Sequence, residues 1–208
     1  MSAPEEHRLR DGTLVLLRPI EPGDKRRLQE GLARLSPTSR FRRFMSAVPE
    51  LSPRELAYLT EVDQVRHLAW IALDAQAPGQ PALGVGRAIA LAEPGVAEAA
   101  VTVVDSHQGR GLGTLLLGVL AREALRRGLT SFRAWVHVSN APMLELLGEL
   151  GARGTPEGEG VLRLDVPLDA PPGLETPATR VLRALARDAL QALPGKGPPP
   201  DGRGGYPA

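Results

Sequence analysis

Val103-Val104-Asp105-Ser106-His107-Gln108-Gly109-Arg110-Gly111-Leu112-Gly113-Thr114 is the stretch that decides the fold. It lies between a predicted strand over 98–104 and the longest helical pattern of the chain, over 112–127. Glycines at every second position let the backbone adopt positive φ and approach a ligand closely. The first N–H groups of the following helix have no intrahelical partner, and the helix dipole adds partial positive charge there. The stretch therefore predicts a phosphate site built mainly from backbone.

Two common phosphate motifs do not fit this loop. No Lys follows any of its glycines, which excludes the P-loop pattern. The dinucleotide-binding pattern G-x-G-x-x-G also fails, because Thr114 and Leu116 stand where its last glycine would be.

The remaining patterns predict the order β-α-α-β-β-β-α-β-α-β-β. Several strands precede the main helix, so the chain is not a regular βαβ alternation, and we expect a mixed sheet in an α/β or α+β domain. The predicted elements are strands over 13–18, 67–73, 82–91, 98–104, 132–138, 152–156 and 161–166, and helices from Asp24 to about 35, from Ser52 to about 60, over 112–127 and over 140–150.

Composition shifts near Pro167, where Pro and Gly become frequent. We therefore expect a domain over 9–166 and a C-terminal appendage over 167–208. The appendage should contain a helix near 176–193, followed by a disordered Pro/Gly tail. The apolar stripe of that helix must be covered by the domain, by a second subunit in a homodimer, or by another partner.

Composition excludes several classes of function. The 208 residues contain no Cys, which rules out a catalytic thiol, thiolate zinc and a disulfide framework. The 25 Lys and Arg against 24 Asp and Glu argue against a dedicated nucleic-acid binder. The four His are widely separated, so no metal site is predicted. No apolar run is long enough to span a membrane, and the N-terminus is acidic, so we expect a cytoplasmic protein.

The glycine loop resembles a known family. Gln108-Gly109-Arg110-Gly111-Leu112-Gly113 is similar to the Q/R-x-x-G-x-G/A motif of the GNAT N-acetyltransferases, which binds the pyrophosphate of acetyl-CoA. Asn140-Ala141-Pro142-Met143 with the later Leu150-Gly151-Ala152, and Arg18-Pro19 before Asp24, extend the likeness over roughly residues 9–166. The resemblance implies the GNAT fold, with a mostly antiparallel central sheet flanked by helices, and acetyl-CoA as cosubstrate.

A closer resemblance concerns bacterial protein-lysine acetyltransferases of the Pat type. It rests on the stretch from Leu35 to Phe44, on Val62-Asp63 with His67-Leu68-Ala69, and on Ala97-Glu98 placed ten residues before Gln108. It implies a protein lysine as the amine acceptor. A small amine as acceptor, and a non-catalytic acetyl-CoA-binding module, stay open as alternatives.

The resemblance also implies roles for single residues. Glu98 would be the general base that deprotonates the amine. The backbone of Val103 and Val104 would bind pantetheine and the acetyl carbonyl. Asn140, which could equally cap a helix, would bind the CoA arm. The loop residues Gln108, Gly109, Arg110, Gly111, Leu112, Gly113 and Thr114 would hold the pyrophosphate.

Two further expectations concern neighbouring side chains. The segment 140–151 has no Tyr to act as general acid, which leaves two alternatives for the leaving thiolate: protonation by water, or departure without an acid because of its own low basicity. Between Arg40 and Phe44 we expect the phenylalanines to pack and the arginines to be solvated.

Overall fold

A computed structural model describes residues 3–44, 50–169 and 176–191. The expected mixed, mostly antiparallel sheet flanked by helices is confirmed, with two further elements, β1 and α2. The strands are β1 (Glu5–Arg8), β2 (Leu14–Pro19), β3 (His67–Asp74), β4 (Ala82–Ala90), β5 (Val96–Val103), β6 (Ser131–His137), β7 (Arg153–Gly158) and β8 (Val161–Pro167). The helices are α1 (Lys25–Ala33), α2 (Pro37–Phe44), α3 (Pro53–Thr60), α4 (Leu112–Leu125), α5 (Ala141–Glu149) and α6 (Pro177–Gln191).

The strands form one sheet in the order β1-β2-β3-β4-β5-β6-β8-β7. The pairing is antiparallel throughout except between β5 and β6, which run parallel. This parallel pair follows from the chain order, because α4 carries the chain back across the sheet between the two strands. The sheet thus has one internal change of direction, and it lies beside the strand that leads into the glycine loop.

Helices cover the sheet on both faces. Helix α4 packs on β3, β4 and β5, and its Leu116 and Leu120 are fully buried in the larger core with Trp70 of β3. Helix α1 packs on β4, where Leu28 lies against a smaller apolar cluster that includes Ile71. The strands β3 and β4 are therefore covered on both faces, which explains their nearly unbroken apolar sequences.

Two glycines of β4 let α4 approach closely. A Cβ at Gly86 would lie 2.8 Å from Leu120 Cδ1, and a Cβ at Gly84 would lie 2.9 Å from the Thr102 carbonyl oxygen. Any larger residue would push the helix or the neighbouring strand away. The position of α4, and with it the glycine loop, is therefore set by the close packing on β4.

The C-terminal helix α6 lies within the predicted range of 176–193. It packs on α4, where a Cβ at Gly118 would lie 2.6 Å from Leu185 Cδ1. Ala178, Leu182 and Ala186 are buried in the larger core. The domain itself therefore covers these residues of the apolar stripe, and the predicted disordered tail from Pro194 lies outside the described residues.

No helix in residues 3–44, 50–169 or 176–191 is long and apolar enough to cross a membrane.

Candidate functional site

A cleft opens where β5 and β6 separate. Their parallel pairing covers three residues of each strand, Val96–Glu98 against Ser131–Arg133. Beyond Glu98, β5 continues to Val103, and among the described strands only β4 pairs with it there, while β6 continues beside β8. The backbone edge of β5 after Glu98 therefore faces the cleft instead of another strand.

The cleft has a volume of about 370 Å³. Seven of the predicted site residues line it, and several other residues that the sequence did not indicate line it with them. The predicted ones are Val103, Gln108, Gly109, Gly111, Gly113, Thr114 and Asn140, and the additional ones include Arg10, Ser39, Arg42, Arg43, Val101, Trp135 and Met143.

The glycine loop closes one end of the cleft. Gly109 and Gly111 have φ angles of +72° and +91°, a region that side chains with a Cβ rarely adopt. Gly111 is the N-cap of α4, and its carbonyl accepts the first helical hydrogen bond, from the Leu115 N–H at 3.0 Å. The N–H groups of the first turn are left for a ligand, so the loop fits the phosphate site that the sequence predicts.

Gln108 fastens this loop to its surroundings. Its Nε2 lies 3.0 Å from the Val103 carbonyl oxygen, 3.1 Å from Asp105 Oδ1 and 3.3 Å from Ser39 Oγ. One amide group thus connects the end of β5, the turn that follows it, and α2. The side chain orders the loop, and it does so at the edge of the cleft.

The two valines before the loop differ in their backbone contacts. The Val103 carbonyl faces the cleft side and accepts from Gln108. The Val104 N–H donates to the Leu83 carbonyl at 2.9 Å, within the sheet, so the predicted oxyanion donor role of Val104 needs correction. Because backbone groups alternate along a strand, the second cleft-facing residue is Val101, which the sequence analysis missed.

Arg110 and Leu112 belong to the loop but not to the lining of the cleft. The Leu112 side chain is buried in the core, so this residue can offer a ligand only its backbone. Arg110 makes an ion pair with Asp11 of the β1–β2 turn. Hydrogen bonds from Thr13, together with the Arg110 charge, lower the pKa of Asp11 to about 2.

Asn140 stands at the N-cap of α5, but its side chain makes no capping hydrogen bond. The predicted capping role is therefore not observed. The side chain is half-buried at the wall of the cleft, next to Met143.

Glu98 is exposed on β5 at the point where the cleft begins. It shares a face of the sheet with Ala100 and Thr102, because side chains alternate along a strand. Burial lowers the pKa of Arg43, and the negative charge of Glu98 nearby opposes this lowering. The predicted base therefore lies at the mouth of the cleft with a cation beside it.

Helix α2 was not predicted, and the expectation of solvated arginines there was wrong. Ser36 begins the helix, since its Oγ accepts from the Ser39 N–H at 3.2 Å. Arg42 Nη2 donates to the Ser139 carbonyl at 2.7 Å, just before α5, and Arg42 Nε is buried without a hydrogen-bond partner. The helix thus lies across the cleft and contacts both of its walls.

Among the residues that the structure describes, no group of three or more His, Cys, Asp or Glu is placed to hold a metal ion. His137 forms a hydrogen bond through Nδ1 with Ser139 Oγ at 2.8 Å.

Comparison with known proteins identifies the family of this chain. The sequence pattern described as the acetyltransferase (GNAT) family matches residues 36–152, which include the glycine loop and Asn140. This chain belongs to the GNAT family. The acetyltransferase PA5475 of Pseudomonas aeruginosa is 34% identical over 146 residues, which cover 70% of this chain and 78% of that protein.

Pat proteins show a sequence identity to this chain similar to that of PA5475. The acetyltransferase Pat of Mycolicibacterium smegmatis is 35% identical over 186 residues, or 89% of this chain, but this chain spans about half of its length, 54%. The GNAT domain of S. lividans PAT superposes with a TM-score of 0.71 at 29% identity, covering 79% of this chain and 96% of that domain. A more distant structural neighbour, the acetyltransferase yncA of Salmonella typhimurium with its cofactor acetyl-CoA, has a TM-score of 0.59 at 18% identity, covering 78% of this chain and 98% of that one. The expected resemblance to GNAT and Pat proteins is thereby confirmed.

Proposed function

We propose that this GNAT protein is an N-acetyltransferase that moves the acetyl group of acetyl-CoA to a protein lysine by direct attack. The observation that carries the proposal is the cleft that opens at Glu98 and ends at the glycine loop. The cradle fits a pyrophosphate, because Gly109 and Gly111 present no side chain and the first N–H groups of α4 have no helical partner. Similarity to Pat proteins supports lysine as the acceptor.

The proposed reaction has one nucleophilic step. The amine nitrogen attacks the thioester carbonyl carbon, and Glu98 accepts the ammonium proton directly or through water. The Val103 N–H donates to the carbonyl oxygen as negative charge develops there. The C–S bond then breaks, the nitrogen loses its second proton, and the departing CoA thiolate takes up that proton through water. Asn140 binds the pantetheine arm from the opposite wall.

Transfer from labelled acetyl-CoA tests this function. Lysine peptides, intact proteins of a lysate and a panel of small amines would be offered in parallel, each with and without enzyme. We expect label on lysine side chains. Label on small amines and none on peptides would establish the small-molecule alternative, and acetyl-CoA binding without transfer would establish a binding module.

A substitution in the glycine loop tests the cradle. We expect Gly111→Ala to raise the KM for acetyl-CoA about tenfold, because alanine at a φ of +91° costs roughly 1–2 kcal/mol and shifts the N–H groups at the start of α4. Steady-state kinetics and thermal unfolding would be measured together.

Gly128→Ala is the matched control. Gly128 follows the other end of α4 with a φ of +77°, and a Cβ there has no neighbour within 4 Å. Both variants should lose similar stability, and only Gly111→Ala should lose affinity for acetyl-CoA. Equal KM values for acetyl-CoA in the two variants would refute the proposal that the loop at Gly111 binds the pyrophosphate.

Three features of the proposal concern the whole protein. We infer that it works in the cytoplasm. We also infer that the domain extends beyond the expected 9–166, because β1 pairs with β2 in the sheet and α6 contributes side chains to the same core. A homodimer through α6 would use a face other than Ala178 and Leu182, since these side chains lie in the core of the same chain.

A further inference from the structure

A second cavity lies beside the cleft, on the face of the sheet covered by α1 and α3. Arg87 of β4 and Arg43 of α2 line it, together with apolar side chains such as Leu32 and Leu59. Arg43 and Thr102 line the cleft as well, so the two cavities adjoin there. The cavity is lined mostly by apolar side chains, so two guanidinium groups are unusual there.

Arg87 is enclosed, and neither of its hydrogen-bond partners among the described residues is acidic. Its side chain is 6% exposed, and it hydrogen-bonds to His67 Nε2 at 2.9 Å and to the Leu59 carbonyl at 3.2 Å. No carboxylate of the described residues makes an ion pair with Arg87 or with Arg43, although the charge of Glu98 acts on Arg43.

Other enclosed arginines of this chain make ion pairs with carboxylates. Arg18, Arg122 and Arg133 each make an ion pair with at least one carboxylate. Arg27, which also lines the second cavity, pairs with Asp24 at 3.3 Å. Burying a cation without a counter-charge is unfavourable, so the exception at Arg87 needs a reason.

The two cations also act on each other. Burial lowers the pKa of Arg87 to about 10, and the charge of Arg43 contributes to this lowering. Arginine side chains carry a positive charge near neutral pH, so the two groups repel each other across the cavity, and the charge of Glu98 offsets part of this at Arg43. An anion between them would relieve the repulsion and accept charge-assisted hydrogen bonds from both groups.

The second cavity and the predicted base lie on the same side of the sheet. Arg87 pairs with Ala100 across the β4–β5 register, and Glu98 is the next residue of that face along β5. An acceptor bound on this side could present its amine near Glu98 and another group to Arg87.

We propose that this second cavity binds a carboxylate of the acceptor, held by Arg87 and Arg43 while the amine lies near Glu98. This inference rests on the proposed function and deepens it, because it makes the substrate an amine with a carboxylate close by. Two sources have this chemistry, an acidic side chain flanking a peptide lysine and the α-carboxylate of a free amino acid.

Matched acceptors test the proposal. Lysine peptides flanked by Glu would be compared with the same peptides flanked by Gln, and free lysine with lysinamide. We expect the acidic member of one pair to have a KM about 10- to 100-fold lower, the value of a charge-assisted hydrogen bond lost or gained. The pair that shows the difference identifies the source, and equal KM values in both pairs would overturn the proposal.

Variants connect the preference to the cavity. Arg87→Gln and Arg43→Gln should bring the KM ratio of the pair towards one, and Arg87→Lys should restore part of it. Arg54→Gln, at an exposed position on α3, should leave the ratio unchanged. Arg43→Gln keeps the test decisive if Arg87 variants fail to fold, and an unchanged ratio in Arg43→Gln and in any folded Arg87 variant would overturn the proposal.

Binding of the labelled acidic peptide, measured by fluorescence anisotropy, distinguishes a failure of the proposed function from a failure of the anion site. Binding that depends on Arg87 or Arg43, without transfer to any acceptor, would refute the proposed function and support the anion site. Acetyl transfer without any dependence on peptide charge would support the proposed function and refute the anion site.

Discussion

Replacing Glu98 with Gln is expected to lower kcat by about 10²- to 10⁴-fold, the usual contribution of a general base. Gln has nearly the same shape as Glu but cannot accept the ammonium proton. The KM for acetyl-CoA should change little, because Glu98 lies outside the residues that line the cleft. Steady-state kinetics with a lysine peptide would measure both constants.

The pKa of the acceptor provides a sharper readout than the loss of rate. An acceptor that is already neutral at the assay pH, such as a hydrazide, does not need a base, so Glu98→Gln should slow its acetylation far less. A purely structural role would slow both acceptors equally, and that result would contradict our assignment. Glu6→Gln, at an exposed position on β1 at the far edge of the sheet, is the matched control and should behave as wild type.

The glycine loop and the helix after it were predictable because their signals are local. The predicted helix over 112–127 matches α4 at Leu112–Leu125, and positive φ occurs at Gly109 and Gly111. The strand before the loop was also predicted, within two residues at its start. Such signals depend on neighbours in the sequence, so long-range packing did not override them.

Helix α2 was missed although the sequence contained its signal. Ser36-Pro37 was interpreted as the end of α1, whereas the same Ser-Pro pattern at Ser52-Pro53 was correctly interpreted as a helix start. Both prolines stand at the first helical position, which needs no N–H donor. Treating the two patterns alike would have predicted α2, and with it Ser39 and Arg42 at the cleft.

Other features depend on partners distant in the sequence. Strand β1 reads Glu5-Glu6-His7-Arg8, with no apolar alternation, and forms because its backbone pairs with β2. The engagement of the Val104 N–H by Leu83 depends on the register of β4 and β5. The missing counter-charge of Arg87 likewise became visible only once the chain was folded.

The largest expected loss of stability follows from Asp24, at the start of α1. Its carboxylate is 1% exposed and accepts two hydrogen bonds of 2.7 Å from Arg18 of β2 and one of 2.9 Å from the Glu21 N–H. Removing one partner of a buried ion pair leaves the other charge uncompensated. We expect Asp24→Asn to lower the free energy of unfolding by about 3–5 kcal/mol, measured by urea denaturation at pH 7.

The loss should depend on pH with a definite sign. Burial alone would raise the pKa of Asp24, but the hydrogen bonds from Arg18 and Glu21 and the charges of Arg18 and Arg27 outweigh it and hold the pKa below its usual value. The ionised carboxylate therefore stabilises the fold fully above the unfolded pKa of about 3.9, and this contribution disappears as the pH falls through the lower folded pKa. The stability difference between wild type and Asp24→Asn should be constant from pH 7 to 5 and shrink below about pH 4.

Glu30→Gln, which removes an exposed ion pair with Arg26 on α1, should show little difference at any of these pH values. A difference for Asp24→Asn that did not shrink on acidification would mean that the side chain stabilises α1 through packing, and not through its charge.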